Sequence, residues 1–120
     1  MALPSPPATT VAVAPTSTEV FSIDVREEQW LTAQVTNLNG SQTFTGVVER
    51  RVSESMAWAS STIGDFAGIP PAGTVDANGA PLDSVTVDLD VTGTGFLRLV
   101  GVMSGAGGDV SVCVRKGQRK

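Results

Sequence analysis

Short runs of alternating apolar and polar residues make up most of this chain. A period of two is typical of β-strands that bury one face. It predicts six strands, and a seventh could form at the N-terminal end, where two valines alternate with alanines. The predicted strands are 20–25, 29–38, 43–52, 84–91, 96–103 and 109–115. They predict an all-β protein: an antiparallel β-sandwich or jelly-roll-like barrel of about 6–8 strands.

Glycine turns suggest how neighbouring strands pair. A three-residue loop at 93–95 predicts a hairpin. In that register Leu89 lies opposite Leu99 on the inner face. The same register places Asp90 opposite Arg98 on the outer face.

Further turns at 37–41 and 105–108 predict two more hairpins, so that the last three strands share one apolar face. Phe96, Val100 and Val102 fall on the opposite face of the middle strand. We therefore expect the long loop or a partner to cover them in part.

Composition divides the chain into three segments. Residues 1–18 are rich in proline and threonine, and predict an extended N-terminal arm that orders against a neighbouring subunit. Residues 19–115 form the predicted sandwich domain, in which the breaker-rich segment 63–82 is a loop between layers. Residues 116–120 are a basic C-terminal tail.

Charge and residue types limit the function. Residues 1–114 contain four arginines and twelve acidic residues, a net of 4 − 12 = −8. A body this acidic is not expected to bind nucleic acid broadly. No run approaches the roughly 20 apolar residues of a membrane span, and the start lacks the features of a secretory signal.

The chain contains no histidine, no tyrosine and one cysteine. The commonest general base is therefore missing, as are the usual zinc ligand sets. We expect no enzyme activity, no cofactor and no metal. Asp88 and Asp90 could offer two oxygens to a cation, although an acidic solvent face explains them better. Cys113 alternates with valines, as a small half-buried thiol would.

The two tryptophans leave two interpretations open. Trp30 and Trp58 could be platforms that stack on sugars, or they could cover an edge of the core. We favour the second interpretation.

One stretch resembles a known family. Residues 83–115 contain Val85-Thr-Val-Asp-Leu-Asp-Val-Thr-Gly-Thr-Gly-Phe-Leu-Arg-Leu-Val-Gly101, a glycine-rich turn, and Asp109-Val-Ser-Val-Cys-Val-Arg115. This resembles the end of the jelly-roll-like cement or decoration proteins of tailed bacteriophages. In that family a Gly-x-x-Phe/Tyr-Leu-Arg-Leu strand precedes a final hairpin.

The resemblance implies a structural virion protein that stabilises a phage head by bridging capsomers. Its partners would be the major capsid protein and copies of itself, as a dimer or trimer, with no nucleic acid, membrane or small molecule. It would be made in the host cytoplasm and lie on the capsid surface. The alternative is a receptor- or carbohydrate-binding module of a phage fibre or cell-surface protein. The candidate partner-binding residues are Leu3, Val11, Val13, Trp58, Phe66 and Ile69.

Overall fold

The computed structural model describes residues 7–60 and 66–118, and within them every regular element is a β-strand. The strands are β1 (Thr9–Val13), β2 (Thr18–Asp24), β3 (Trp30–Asn37), β4 (Phe44–Arg51), β5 (Ala59–Ser60), β6 (Phe66–Ile69), β7 (Ser84–Asp90), β8 (Phe96–Met103) and β9 (Gly108–Gly117). None of the described residues forms a helix long and apolar enough to cross a membrane.

The strands form two antiparallel sheets. The first sheet has the order β1-β9-β3-β7, and the second has the order β2-β8-β4-β5, with β6 also paired to β4. Strand β1 pairs with β9, β2 with β8, β3 with β7, and β4 with β5 and β6. The chain is thus one long antiparallel ribbon, folded back after β4 and wrapped into two layers. This wrapping is a jelly roll, which confirms the predicted fold class.

Alternation sends every second side chain of the main strands into the space between the sheets. In β3, for example, Leu31, Ala33 and Val35 are all fully buried. The largest fully buried side chains are Phe44, Phe66, Leu31, Ile69, Leu89, Leu97, Leu99 and Met103. The core is therefore built mainly from aliphatic residues, as the sparse aromatic content requires.

The Phe44 ring occupies a slot made by two glycines. Gly46 on β4 and Gly101 on β8 are cross-strand partners. A Cβ at Gly46 would lie 3.0 Å from the Phe44 ring, and a Cβ at Gly101 would lie 2.6 Å from its Cζ. Glycine inside a strand commonly marks such a close approach. Both glycines therefore make room for one of the two phenylalanine rings that are fully buried in the core.

Asn37 is the buried polar residue that fixes the turn after β3. Its Nδ2 donates to the carbonyl oxygens of Gln42, Ile69 and Pro70, at 2.8, 3.2 and 3.1 Å. Its Oδ1 accepts from the backbone N–H of Asn39 at 2.9 Å. The side chain therefore ties this turn to the end of β6, and its burial is matched by hydrogen bonds.

The hairpin predicted around residues 93–95 is wrong. Strand β7 lies beside β3 in the first sheet, whereas β8 lies between β2 and β4 in the second. Leu89 therefore pairs with Leu31, and Leu99 pairs with Val48. Both leucines do point inward, as expected.

The turns at 37–41 and 105–108 also connect strands of different sheets, so these predicted hairpins are wrong as well. The physical reason is that two strands facing each other across a sandwich show the same alternation as two strands side by side. The period identifies the inner face of a strand but does not identify its neighbour.

The structure also differs from the predicted arm and tail. Residues 9–13 form an edge strand of the first sheet, and Val13 is only 2% exposed within the core. Residues 1–6 lie outside the described residues. Strand β9 continues to Gly117, through the start of the predicted tail. The predicted loop 63–82 contains β6 and an isolated bridge between Val75 and Pro81.

Candidate partner-binding face

The outer side of the second sheet carries an apolar strip. Because Val48 and Leu99 point inward, their chain neighbours on β4 and β8 point outward. Val47 lies opposite Val100, and Val102 lies opposite Thr45. Val47 and Val102 are 38% and 39% exposed, and Val100 is partly exposed. We use the name outer face for this strip of Val47, Val100 and Val102 together with the charged and aromatic cluster around Arg98.

Arg98 organises a charged cluster beside this strip. Its Nε donates to Glu49 Oε1 at 2.6 Å, and its Nη1 lies 3.8 Å from Glu19 Oε1. Glu49 is the cross-strand partner of Arg98 on β4, so the predicted pairing of Arg98 with Asp90 is wrong. Arg98 and Glu49 side chains are 27% and 21% exposed, so the pair is partly shielded from water.

Two aromatic rings pack under arginine side chains in the same cluster. The guanidinium carbons of Arg51 and Arg98 lie 4.3 and 4.6 Å from the centre of the Trp58 ring. Those of Arg26 and Arg51 lie 5.1 and 5.3 Å from the centre of the Phe96 ring. These are cation–π distances. The arrangement orders three arginine side chains against two flat rings.

Arg51 also borders an apolar groove at the end of the outer face. The groove measures about 350 Å³, and Val52 and Met56 on its wall are 72% and 60% exposed. Nη1 of Arg51 donates to the carbonyl oxygens of Glu54 and Met56, whereas its buried Nε has no hydrogen-bond partner among the described residues. The groove therefore combines exposed apolar surface with an arginine edge.

The carboxylate of Asp24 lies across β8 from Arg51, because both residues are cross-strand partners of Phe96. Nε and Nη2 of Arg26 donate to it, the latter at 2.6 Å, and the backbone N–H of Arg26 donates at 3.0 Å. These hydrogen bonds lower the pKa of Asp24 from 3.8 to about 2. The same pair raises the pKa of Arg26. Both groups remain charged over the whole physiological pH range.

The predicted partner-binding residues are distributed differently from our expectation. Leu3 lies outside the described residues. Val13, Phe66 and Ile69 are buried in the core of this chain, where a partner cannot reach them. Val11 is half-buried on β1 and packs against the core.

Trp58 is the member of that set which the structure places on the outer face. Trp30 is also half-buried, and its ring lies against Gly117, where a Cβ would come within 2.7 Å. Neither tryptophan belongs to the buried core. The face of the Trp58 ring available to a sugar is reduced by the two guanidinium groups that cover it.

Sequence reasoning missed Glu49, Arg51 and Arg98 as functional candidates. A signal was present, because Phe96, Val100 and Val102 alternate with the core residues of β8 and therefore share a face with Arg98. This alternation could not identify the cluster, because the residues that contact Arg98 lie on β4 and in the β4–β5 turn, far from Arg98 in the sequence.

The acidic pair considered for a cation is separated into different environments. Asp88 Oδ1 accepts a hydrogen bond of 2.6 Å from Thr32 Oγ1, while Asp90 Oδ1 accepts from the N–H of Thr92. Within residues 7–60 and 66–118, no group of three or more His, Cys, Asp or Glu side chains could hold a metal ion.

Comparison with known proteins finds no matching family model and no curated protein with significant similarity. Among solved structures, the SPBc2 prophage-derived protein YomS is 17% identical, with a TM-score of 0.44, and the match covers 96% of this chain and 99% of that one. A chain from the Gx strain of infectious bursal disease virus is 12% identical, with a TM-score of 0.43. That match covers 91% of this chain and 32% of the viral one.

Proposed function

We propose that this protein is a structural virion component, a capsid cement or decoration protein that binds the outside of a phage head and bridges capsomers. The observation that carries the proposal is the outer face of the second sheet. There an exposed valine strip adjoins an ordered cluster of arginines, carboxylates and aromatic rings. We propose no catalytic step for the chain.

The composition of the outer face is that of a protein interface. Aromatic residues and arginine are enriched where proteins meet, and tryptophan and arginine often dominate the binding energy. Trp58, Arg51 and Arg98 lie together here, and Phe96 is buried beneath the side chains of Arg26 and Arg51. A strip of half-exposed valines beside them adds apolar surface that a partner would remove from water.

The electrostatics of the outer face also suit burial against a protein. An unpaired charge is costly to bury, whereas a hydrogen-bonded pair leaves little net charge to desolvate. Arg98 is paired with Glu49, and Arg26 with Asp24. The arginines are held by rings and carboxylates before a partner arrives, so little side-chain entropy remains to be lost on binding.

Decoration of heads that lack this protein tests the proposal. The full chain is mixed with such heads, and the bound fraction is measured by co-sedimentation. Val102→Asp places an unpaired charge in the strip and should weaken binding at least about tenfold, the equivalent of 1.4 kcal/mol. The matched control is Thr86→Asp, which places the same charge at an exposed position of β7 in the first sheet. It should bind like the unmodified protein.

Three results would count against the proposal. If the chain binds no head, it is not a decoration protein. If both aspartate variants bind like the unmodified protein, the outer face is not the contact. The chain could instead bind glycans on an array. If the Trp58→Ala variant then fails to bind them, the receptor- or carbohydrate-binding function replaces the decoration function.

A further inference from the structure

Most edge strands of this sandwich carry a feature that discourages pairing with another chain. Strand β7 has exposed carboxylates at Asp88 and Asp90. Strand β2 has an irregular register between Glu19 and Phe21. Strand β5 is only two residues long, and the pairing of β6 is irregular. Charge, bulges and shortness are the usual ways in which natural sheets protect their edges.

Strand β1 has none of these features. Its sequence, Thr-Thr-Val-Ala-Val, contains no charge and is mostly β-branched. Its register with β9 is unbroken from Thr9, opposite Val112, to Val13, opposite Gly108. Within the described part of the chain, β9 is the strand it pairs with, and its other edge ends the first sheet. Such an edge is a template for one more strand.

An apolar slot lies directly beside this edge, between the two sheets. It measures about 280 Å³, and Val11, Phe21 and Val114 on its wall are all half-buried. These residues pack against the core but remain partly open to water. The edge therefore offers both backbone hydrogen-bonding groups and unburied apolar surface.

We propose that β1 pairs antiparallel with β1 of a second copy of this chain, about a two-fold axis that passes by Val11. The first sheets of the two copies then form one continuous sheet. This inference is independent of the proposed function, since it concerns an edge of the first sheet rather than the outer face of the second and requires no capsid.

The sequence around β1 favours a second copy as the occupant. Pro7 and Pro15 each lie four residues from Val11, on opposite sides. Pairing centred on Val11 therefore joins all five residues of β1 and keeps both prolines, which cannot donate to a ladder, outside it. It sets Val11 against Val11, and Thr10 against Ala12. Small uncharged residues face each other, so no like charges oppose the contact.

The two-fold pairing also uses the slot. Residues opposite each other in a ladder share a face, so the inward sides of the two copies lie on the same side of the joined sheet. The Val11 side chains meet beside both slots. Apolar surface that each copy leaves half-exposed would thus be covered by the other. Closed two-fold pairing of this kind is the commonest form of self-association.

Sedimentation equilibrium of the full chain tests the inference. The unmodified protein should sediment with twice its mass of 12.3 kDa. Ala12→Lys adds a charge to an exposed position of β1 and should weaken dimerisation at least about tenfold. The matched control is Thr86→Lys, on an edge strand that already carries charge, and it should remain a dimer. Thermal melts establish that each variant is folded.

A cross-link provides a second, independent measurement. In a Cys113→Ser background, Val11→Cys should give a covalent dimer on mild oxidation, because opposed residues at a two-fold axis have the Cα separation that a disulfide needs. Thr86→Cys should not. A monomer at concentrations up to about 1 mM, or a dimer that Ala12→Lys leaves intact and Val11→Cys does not cross-link, would overturn the inference. Loss of the dimer without loss of head binding would separate it from the proposed function.

Discussion

Replacing Gly101 by alanine should destabilise the protein, although alanine is the better residue for most strands. The new Cβ would lie 2.6 Å from Cζ of Phe44 and 3.3 Å from Cγ2 of Val20. Carbon atoms in contact prefer 3.5–4.0 Å, so the ring would have to move by about 1 Å. The ring is fully buried, and Gly46 holds its other edge. Overpacking of this kind costs about 1–3 kcal/mol.

Urea denaturation followed by tryptophan fluorescence measures the cost. The matched control is Gly40→Ala, where no heavy atom lies within 4 Å of the new Cβ and the backbone is not left-handed. It should change the free energy of unfolding by less than about 0.5 kcal/mol. The double variant with Phe44→Leu identifies the source of the strain. With a smaller side chain in the slot, Gly101→Ala should cost at least about 0.5 kcal/mol less than in the unmodified protein.

Two outcomes would refute this reasoning. If Gly101→Ala and Gly40→Ala have equal effects, the ring does not lie against the strand backbone. If Phe44→Leu leaves the cost of Gly101→Ala unchanged, the strain arises from a different contact, and the double variant would show simple additivity.

Two further predictions concern the charged groups of the outer face. A double-mutant cycle should give a coupling of about 0.5–1 kcal/mol between Arg98 and Glu49 in urea denaturation, and a smaller one between Arg98 and Asp90. A larger coupling energy for Arg98 with Asp90 than for Arg98 with Glu49 would instead support the predicted hairpin. In an NMR titration the Asp24 carboxyl should have its midpoint near pH 2. Because its pKa is lower in the folded protein, the ionised group stabilises the fold above pH 3.8, and this contribution is lost as the pH falls towards 2. Arg26→Gln should raise the midpoint towards 3.8, and an unchanged midpoint would show that Arg26 is not the cause.

The fold class and the inner faces of the strands could be predicted from the sequence, because both follow from alternation. Leu89 and Leu99 are predicted to lie on the inner face, and both are buried. Sheet membership could not be predicted, since alternation is identical for strands beside and across from each other. Because β7 and β8 were assigned to one sheet, Arg98 was paired with Asp90, whereas its cross-strand partner is Glu49.

The candidate site was predictable only in part. The apolar outer residues of β8 were visible as exceptions to the alternation. Their neighbours, Glu49 and Trp58, come into contact through pairing between β4 and β8 and through the β4–β5 turn. For β1, the prolines that suggested a free arm instead limit the strand to five residues between Pro7 and Pro15. Proline marks where a strand ends, but it does not exclude a strand between two prolines.

The wrapped ribbon has a consequence for synthesis. Thr9 pairs with Val112, 103 residues later in the chain (112 − 9 = 103). A ribosome adds about 5–20 residues per second, so β1 waits roughly 5–20 s before its partner exists. Strand β2 likewise has no pairing partner until β8 has been made. During translation the first strands emerge without the strands that complete their sheets. Neither sheet can be completed before β8 and β9 have been made, so the two layers close late in translation.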